Sequence, residues 1–471
     1  MDVHVTLDGH RDLSGQIYRQ LRAAILDGRL REGDRVPPSR ELARRLAVAR
    51  NTVGVAYERL TAEGYLRSRV GAGTFVEAGD ALADRATGSA HSALRARPGW
   101  PAHRRWPPPA PPATEFDFRV GLPDTRLFPF EQWRPLVARE LRPSANPTGY
   151  GDPAGHAGLR HALARHIGLS RAVRADADDI VITNGVQQAL DLVARVVLEP
   201  GDRVAVEQPG YPPARLLFTS LGLDVAGVPV DSEGLRVDAI PEGTRLVLVT
   251  PSHQFPLGMP MSLHRRLTLL DWARRHRAVV VEDDYDSEFR FGGRPIDSLR
   301  SLDESGHVVY VNSFSKVMLP SLRTGFLVAP APLREALRTA KYVTDWSTTE
   351  ITQAALARFV DDGRFARHVR RMRAEYEARH TLITTTLRRD FADRLEVVPS
   401  SAGLHITAHV TAHATGDVGA TVTRARAAGV AVQSLAEVAD DPAARPGLVL
   451  GYGAIETSRI AEGLRRLAAC A

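Results

Sequence analysis

Seven of the fifteen residues from Pro98 to Pro112, PGWPAHRRWPPPAPP, are proline. Each proline fixes its own φ and removes a backbone donor. The segment can therefore enter neither a helix interior nor a central strand, and it reads as a stiff, extended tether. Ahead of it, residues 81–97 are rich in Ala, Arg and Ser, and five arginines face one aspartate across 81–113, so the linker is itself basic. The tether divides the 471-residue chain into parts that must each build a core. The expected boundaries are a first unit over 1–80, a linker over 81–113 and a second unit over 114–471.

Composition narrows the class. With 44% hydrophobic and 25% charged residues the chain is ordinarily globular, which excludes disordered, collagen-like and coiled-coil classes. One cysteine, Cys470, excludes a disulfide framework and a cysteine-based zinc site, and no metal is expected. The start, MDVHVTLDGHRDL, lacks the basic and apolar regions of a signal peptide. No window of 18 apolar residues exists, so the expected location is cytoplasmic, without a membrane partner. A net charge of +6 permits nucleic-acid binding without requiring it. Of the 61 basic residues, two are lysine, Lys316 and Lys341, and 59 are arginine. Because arginine keeps its proton, only these two side chains could act as amine nucleophiles. Lys316 lies in a motif described below; Lys341 lies in none and is expected to be surface charge.

In the first unit, Leu13, Ile17, Leu21, Ala24 and Ile25 share one helical stripe that ends at Gly28. Pro37, Pro38 and Ser39 stop the chain and start a short helix over 40–47. A third helix over 50–63 has Val53, Ala56, Tyr57 and Leu60 on its apolar face. Residues 65–76 alternate around a glycine turn, as a β-hairpin does. Three helices and a hairpin describe a winged helix-turn-helix. A recognition helix offers its N-terminal side chains to base edges, and Arg50, Asn51 and Thr52 stand there. Arg40, Arg67 and Arg69 are placed to hold phosphates of double-stranded DNA, and Gly71 lets backbone approach a groove. By spacing alone, a small helical domain with a solvated basic face is an equal alternative.

In the second unit, apolar runs at 180–183, 203–207, 246–250, 278–282 and 308–312 alternate with helical stretches at 186–198, 212–221 and 263–276. This alternation argues for buried parallel strands in an open α/β sheet, whose ligands sit beyond the carboxyl ends of the strands. The candidate chemistry gathers there. Lys316, in NSFSKVMLPSLRTGF, could form a Schiff base beside an anion site made by Ser313, Ser315 and Arg323. Asp283 could pair with a protonated pyridine nitrogen, and the phenol of Tyr285 could reach a ring oxygen. Gly185 and Val186 open a helix whose N–H groups would meet a phosphate, and Tyr211 could stack on a planar ring. Asp284 and Asp286 read as loop charge. Together these residues supply an amine, a nitrogen partner, a phosphate cup and a stacking ring, the contacts a pyridoxal 5′-phosphate (PLP) site requires.

Two families are recognisable. PPSRELARRLAVARNTVGVAYERLTAEGYLRSRVGAGTFV resembles the DNA-binding domain of GntR-type bacterial regulators, covering about residues 12–77. The segments TNGVQQAL, EQPGYP, TPSHQFPLG, VVVEDDYDSEFRF and SFSKVMLPSLRTGFLV resemble fold-type I aminotransferases, covering about residues 115–471. A winged helix joined by a long linker to such a domain is the MocR-type architecture. The resemblance implies a large α/β domain with a small α+β C-terminal domain and Lys316 as the lysine that carries PLP. It also implies Asp283 as nitrogen partner, Tyr285 at O3′, Tyr211 stacking, and Gly185, Val186, Ser313, Ser315 and Arg323 on phosphate. Tyr150, in TGYGDPAG, would reach the site of a neighbouring subunit in a homodimer, for which a head-to-tail arrangement is open.

Two departures bear on function. Where stand-alone aminotransferases tend to carry Asn-Pro-x-Gly, this chain has FPLG at 255–258, and either His253 or Gln254 takes the asparagine's place. Where many place an arginine that grips the substrate carboxylate, this chain has Val449, with His405 and Arg445 as possible substitutes. Losing such a charge-assisted fork weakens α-amino-acid binding by a few kcal/mol. The expected function is a PLP-binding transcription regulator with PLP itself as effector, as in regulators of vitamin B6 synthesis. The alternatives are an amine or amino-acid effector that reacts with bound PLP, as in GABA-type or taurine-type regulators, and a working aminotransferase.

Overall fold

Apolar β-branched runs that are buried on both faces, and connections too long for hairpins, make the second unit a layered α/β structure. The computed structural model describes residues 5–9, 11–77, 100, 114–145, 149–291, 296–412, 417–439, 441 and 443–470. Except for residue 100, the expected linker lies outside the described residues. The chain divides into two units, Met1–Arg97 and Pro98–Ala471.

The first unit contains α1 (Leu13–Leu26), β1 (Arg35–Val36), α2 (Ser39–Arg45), α3 (Arg50–Ala62), β2 (Leu66–Arg69) and β3 (Gly73–Val76). Ile17, Leu21, Leu42, Val53, Leu60, Leu66 and Val76 form its core. The expected hairpin is present, and β1, too short to read from alternation, adds an antiparallel third strand on β3. Tyr57, on the buried face of α3, donates to the carbonyl of Pro37 at 2.7 Å and so ties α3 to the turn before α2.

The second unit begins with β4 (Phe116–Asp117), α4 (Phe130–Glu140), α5 (Ala157–Arg171), β5 (Ile180–Thr183), α6 (Val186–Val197) and β6 (Arg203–Gln208). There follow α7 (Pro212–Ser220), β7 (Asp224–Asp231), β8 (Gly234–Leu235), β9 (Thr244–Val249), α8 (Leu263–His276), β10 (Val279–Asp283) and α9 (Leu299–Leu302). Next come β11 (Val308–Ser313), β12 (Gly325–Val328), α10 (Arg334–Asp345), α11 (Glu350–Asp361) and α12 (Arg364–Asp390). The chain ends with β13 (Leu395–Val397), β14 (His405–Val410), α13 (Val418–Ala427), β15 (Val430–Ala431), β16 (Gln433–Ser434), α14 (Leu435–Ala439), β17 (Gly447–Gly451) and α15 (Thr457–Ala468).

Eight strands form the large sheet in the order β5-β12-β11-β10-β9-β6-β7-β8. Val281, Val309 and Leu327 pack with α6 on one face, and Val280, Val308 and Val249 pack with α8 on the other. The five runs expected to be parallel, now β5, β6, β9, β10 and β11, do run in one direction. The sheet is mixed because β12, which the sequence does not single out, runs antiparallel to both β11 and β5. The connection 314–324 from β11 is too short for a crossover helix, so β12 must return beside β11 in the opposite sense. That short return carries Lys316, which places the lysine over the carboxyl ends of the parallel strands. A second, four-stranded sheet, β13-β14-β17-β16, lies near the C-terminus. None of its strands was singled out from the sequence, and β13 and β16, with three and two residues, are too short for periodicity to identify.

Under the large sheet's carboxyl edge lies an ion pair formed by Arg171 and Asp284. Arg171 Nε donates to Asp284 Oδ2 at 2.8 Å and Nη2 to Oδ1 at 3.1 Å, with both residues buried. Arg171 also donates to Ser252 Oγ and the Ile296 carbonyl, and Asp284 accepts from Ser287 Oγ and the Tyr310 hydroxyl. Asp284 is therefore not loop charge, as its position in an acidic run suggested. Lys341 is likewise not surface charge: it is fully buried on α10 and paired with Asp345. Replacing one partner of a buried pair leaves the other uncompensated. Arg171→Met is accordingly expected to destabilise the second unit by roughly 3–5 kcal/mol, read from its urea unfolding midpoint. An unchanged midpoint would remove the pair from this role.

Candidate functional site

Lys316 sits in the 314–324 return with its Nζ donating to the Gly121 carbonyl at 2.8 Å. Burial draws its ammonium below the usual lysine range, while Asp286 and Asp283 act in the opposite direction. Asp283 ends β10, so its side chain stands where the parallel strands open. Burial, reinforced by Asp284 and Asp286, pushes its carboxyl up to about 8, and Oδ1 is buried without a partner. An acid in this state calls for a cation or a hydrogen-bond donor.

Tyr285 follows two residues later. Its hydroxyl stands 3.0 Å from His253 Nδ1, which in turn stands 2.9 Å from Asp286 Oδ2. Burial and the neighbouring carboxylates hold the phenol well above its usual range, so it remains protonated at neutral pH. The His253 ring depends on Gly403, where a Cβ would come within 2.0 Å of its Cε1. His405 completes this group, with its ring centroid 4.8 Å from that of His253 and its Nε2 3.0 Å from the Pro256 carbonyl. Donor atoms of His253, Asp286 and His405 lie within 4.8 Å of one another.

The anion end is built on α6. Gly185 caps this helix with φ 79°, and a Cβ there would stand 3.0 Å from Arg323 Nη2. Glycine therefore leaves the first N–H groups, from Val186 onward, open to an anion beside a guanidinium. Arg323 Nη2 donates to the Asn184 carbonyl at 2.7 Å, which holds the guanidinium against the turn. Ser313 ends β11, and Ser315 lies one residue before Lys316. Tyr211 is half-buried and edge-on to Phe255 at 5.9 Å; burial, then Asp283, pushes its phenol up to about 12.

Not every expected residue joins this group. Of the two stand-ins for asparagine, His253 meets Tyr285. The amide of Gln254 is committed to the protein itself: its nitrogen donates to the Pro209 and Phe255 carbonyls and its oxygen accepts from the Leu257 N–H. Tyr150 is 83% exposed and edge-on to Trp346. Arg445 is exposed and paired with Glu396 rather than filling the gap at Val449. Val449 is buried in an apolar cluster with Leu257, Leu435 and Val438. Asp286 and Phe255 were missed as site residues. The only signal for Asp286 was its spacing, three residues after Asp283 in an acidic run.

In the first unit, Arg50 and Asn51 are exposed at the start of α3, while Thr52 is half-buried with its N–H bonded to the Ala49 carbonyl. Arg50 and Asn51, though not Thr52, border a groove with Ser39, Ser68 and Thr74, so the wing and the recognition helix line one surface. Ser68 and Thr74 had no distinguishing pattern in the sequence, and Ser39 was read only as a helix start. Arg40 is exposed on α2. Arg67 is paired with Glu77 at 2.8 Å, and the Arg69 guanidinium lies 5.4 Å from the centre of the Phe75 ring. Gly71, φ 77°, makes the hairpin turn.

Comparison with known proteins agrees with this two-part geometry. Residues 13–76 match the bacterial regulatory proteins of the gntR family, and residues 117–438 match aminotransferase class I and II, a PLP-dependent family. The chain is 37% identical over 459 residues to the probable rhizopine catabolism regulatory protein MocR of Rhizobium meliloti, covering 96% of this chain and 92% of that one. It is 34% identical over 487 residues to the regulator TauR of Rhodobacter capsulatus, covering 98% and 96%. It is 31% identical over 454 residues to the pyridoxine biosynthesis regulator PdxR of Corynebacterium glutamicum, covering 96% and 95%. Among solved structures, kynurenine aminotransferase of Pyrococcus horikoshii superposes with a TM-score of 0.69 at 29% identity, covering 75% of this chain and 90% of that one. The chain belongs to the MocR-type GntR transcription regulators, in which a winged helix-turn-helix is joined to a fold-type I aminotransferase-like domain.

Proposed function

We propose that this regulator binds PLP at Lys316 as a homodimer and that PLP occupancy is the signal that alters its grip on double-stranded DNA. The observation that carries the reading is the half-buried amine of Lys316 near the unpartnered carboxyl oxygen of Asp283. The residues fit the cofactor: Asp283 lacks the cation that a protonated pyridine nitrogen provides, and Gly185 leaves room for phosphate beside Arg323. When bound, PLP supplies an electrophilic carbonyl and an electron-withdrawing ring. Lys316 offers the amine, which burial keeps closer to its neutral, nucleophilic form. Asp283 holds the ring-nitrogen proton, Tyr285 donates toward the ring oxygen with His253 behind it, and Tyr211 covers a ring face. Gly185, Val186, Ser313, Ser315 and Arg323 take the phosphate, and Tyr150 reaches toward the neighbouring subunit.

Val449 separates PLP sensing from amino-acid turnover. The apolar cluster around it supplies no charge for a substrate carboxylate, which favours PLP itself as effector. The same cluster makes an amine without an α-carboxylate the second choice of ligand, ahead of an amino acid. On the DNA side, Arg50 and Asn51 read bases, while Arg40, Arg67 and Arg69 hold phosphates.

Three outcomes test this reading. Lys316→Ala should lose the visible absorbance that PLP gains on binding and any PLP-dependent change in affinity for the intergenic DNA upstream of the protein's own coding sequence. Unchanged absorbance and DNA response would overturn the proposal. Asp283 provides a pH signature. Between its ordinary value of 3.8 and about 8, the folded chain keeps a proton that the unfolded chain has released. Stability without PLP therefore falls as pH rises through that window, and Asp283→Asn should flatten the fall in unfolding midpoint. An identical pH slope in the variant would argue against the assignment. Arg50→Ala should cost about 1–3 kcal/mol in binding to the recognised sequence while sparing non-specific DNA, measured by titration at fixed salt.

A further inference from the structure

Lys341 is one of the chain's two lysines, and its burial on α10 has no explanation in the site described above. Its Nζ pairs with Oδ1 of Asp345, one helical turn later. The second oxygen of Asp345 accepts from Gln188 Nε2 at 2.7 Å and from Asn184 Nδ2 at 3.1 Å. Gln188 Oε1 accepts from the Asn184 N–H at 2.8 Å, and the Asn184 carbonyl accepts from Arg323 Nη2 at 2.7 Å. A continuous run of hydrogen bonds thus leads from the buried ammonium to the guanidinium beside the open N-terminus of α6.

The direction of each link matters. Asn184 is held at its side chain, its N–H and its carbonyl, so the peptide that leads into Gly185 has little rotational freedom. Docking α10 against α6 does not need a charge, because Leu337 already packs with Ala189 and Leu190 in one apolar cluster. A buried ammonium costs free energy that an apolar side chain would not. What it adds is a counterion for the Asp345 carboxylate, whose second oxygen orients two amide donors at once.

We propose that Lys341 and Asp345 form a positioning pair that sets the Asn184–Gly185 turn and Arg323 for a phosphate monoester dianion. The inference rests on the reading of this site as a PLP site. The two lysines then serve opposite ends of one ligand: Lys316 meets its carbonyl and Lys341, through Asp345, prepares its phosphate cup.

The test compares PLP with pyridoxal, which shares the ring and carbonyl but lacks the phosphate. Dissociation constants for both are measured on the full chain by visible absorbance and tryptophan fluorescence, for wild type, Lys341→Met and Asp345→Asn. Orienting partners of this kind change ligand affinity by about tenfold or more, so both variants should weaken PLP by about that factor while pyridoxal stays within about twofold. Equal weakening of the two ligands would mark the pair as merely structural and overturn the inference, as would no change in either. Should Lys341→Met not fold, Asp345→Asn, which keeps the side chain's shape, decides by the same ratio. Wild type binding neither ligand would instead overturn the PLP reading, and the pair's assignment with it.

Discussion

The ion pair of Arg171 and Asp284 determines what the rest of the site can be. Four carboxylates, Glu282, Asp283, Asp284 and Asp286, are buried within five residues at the end of one strand. Without a cation among them they would repel one another and draw water or protons into the sheet. Arg171 neutralises Asp284 with one hydrogen bond to each carboxylate oxygen, and Tyr310 and Ser287 also donate to Oδ2. Glu282 is held separately by the N–H groups of Leu299 and Arg300, so the acids on either side of Asp283 are both engaged while its own Oδ1 has no partner. The pair stabilises the site less by its own Coulomb energy than by deciding which acid is left unpaired.

Cations are divided between two kinds of work. Arginine, with its fixed fork and permanent charge, ties elements together: Arg171 joins α5 to β10, and Arg379 on α12 binds Asp124 and the carbonyls of Tyr452 and Gly453. The two lysines are kept where a compact charge is needed. One is half-buried near Asp283 and Asp286, and the other is buried behind the Asn184 turn. Histidines have a third role. His253 presents its Nδ1 to both the Tyr285 hydroxyl and the Asp286 carboxylate.

Much of this was legible. The boundaries of the three N-terminal helices followed from apolar spacing and from Gly28, Ser39 and Gly64. The cores of β5, β6, β9, β10 and β11 were visible as β-branched runs, since strands buried on both faces cannot alternate. Lys316, Asp283, Tyr285 and Gly185 were identifiable because each sits within a few residues of such a run, and Arg323 because it follows Lys316 by seven residues. The antiparallel β12, the short strands of the second sheet and β1 were not legible. Their identity lies in partners distant in sequence, and their own residues carry no period. Lys341 was misread for the same reason: burial is a property of what surrounds a helix face, and the residues that enclose α10 lie far away in the chain.

The sequence alone determined the two-unit organisation, the class of each unit and the one lysine that follows a strand end as an amine nucleophile must. Those features depend on local chemistry: proline's fixed φ, the period of apolar side chains, and lysine's ability to release a proton where arginine cannot. Only the tertiary structure decided which carboxylates are paired and which is not, that His253 rather than Gln254 meets Tyr285, and that Lys341 lies behind the Asn184 turn. Charge pairing, tautomer partners and burial depend on distances across strands and helices. Those distances are set when the sheet closes around Arg171 and Asp284, and no residue carries them by itself.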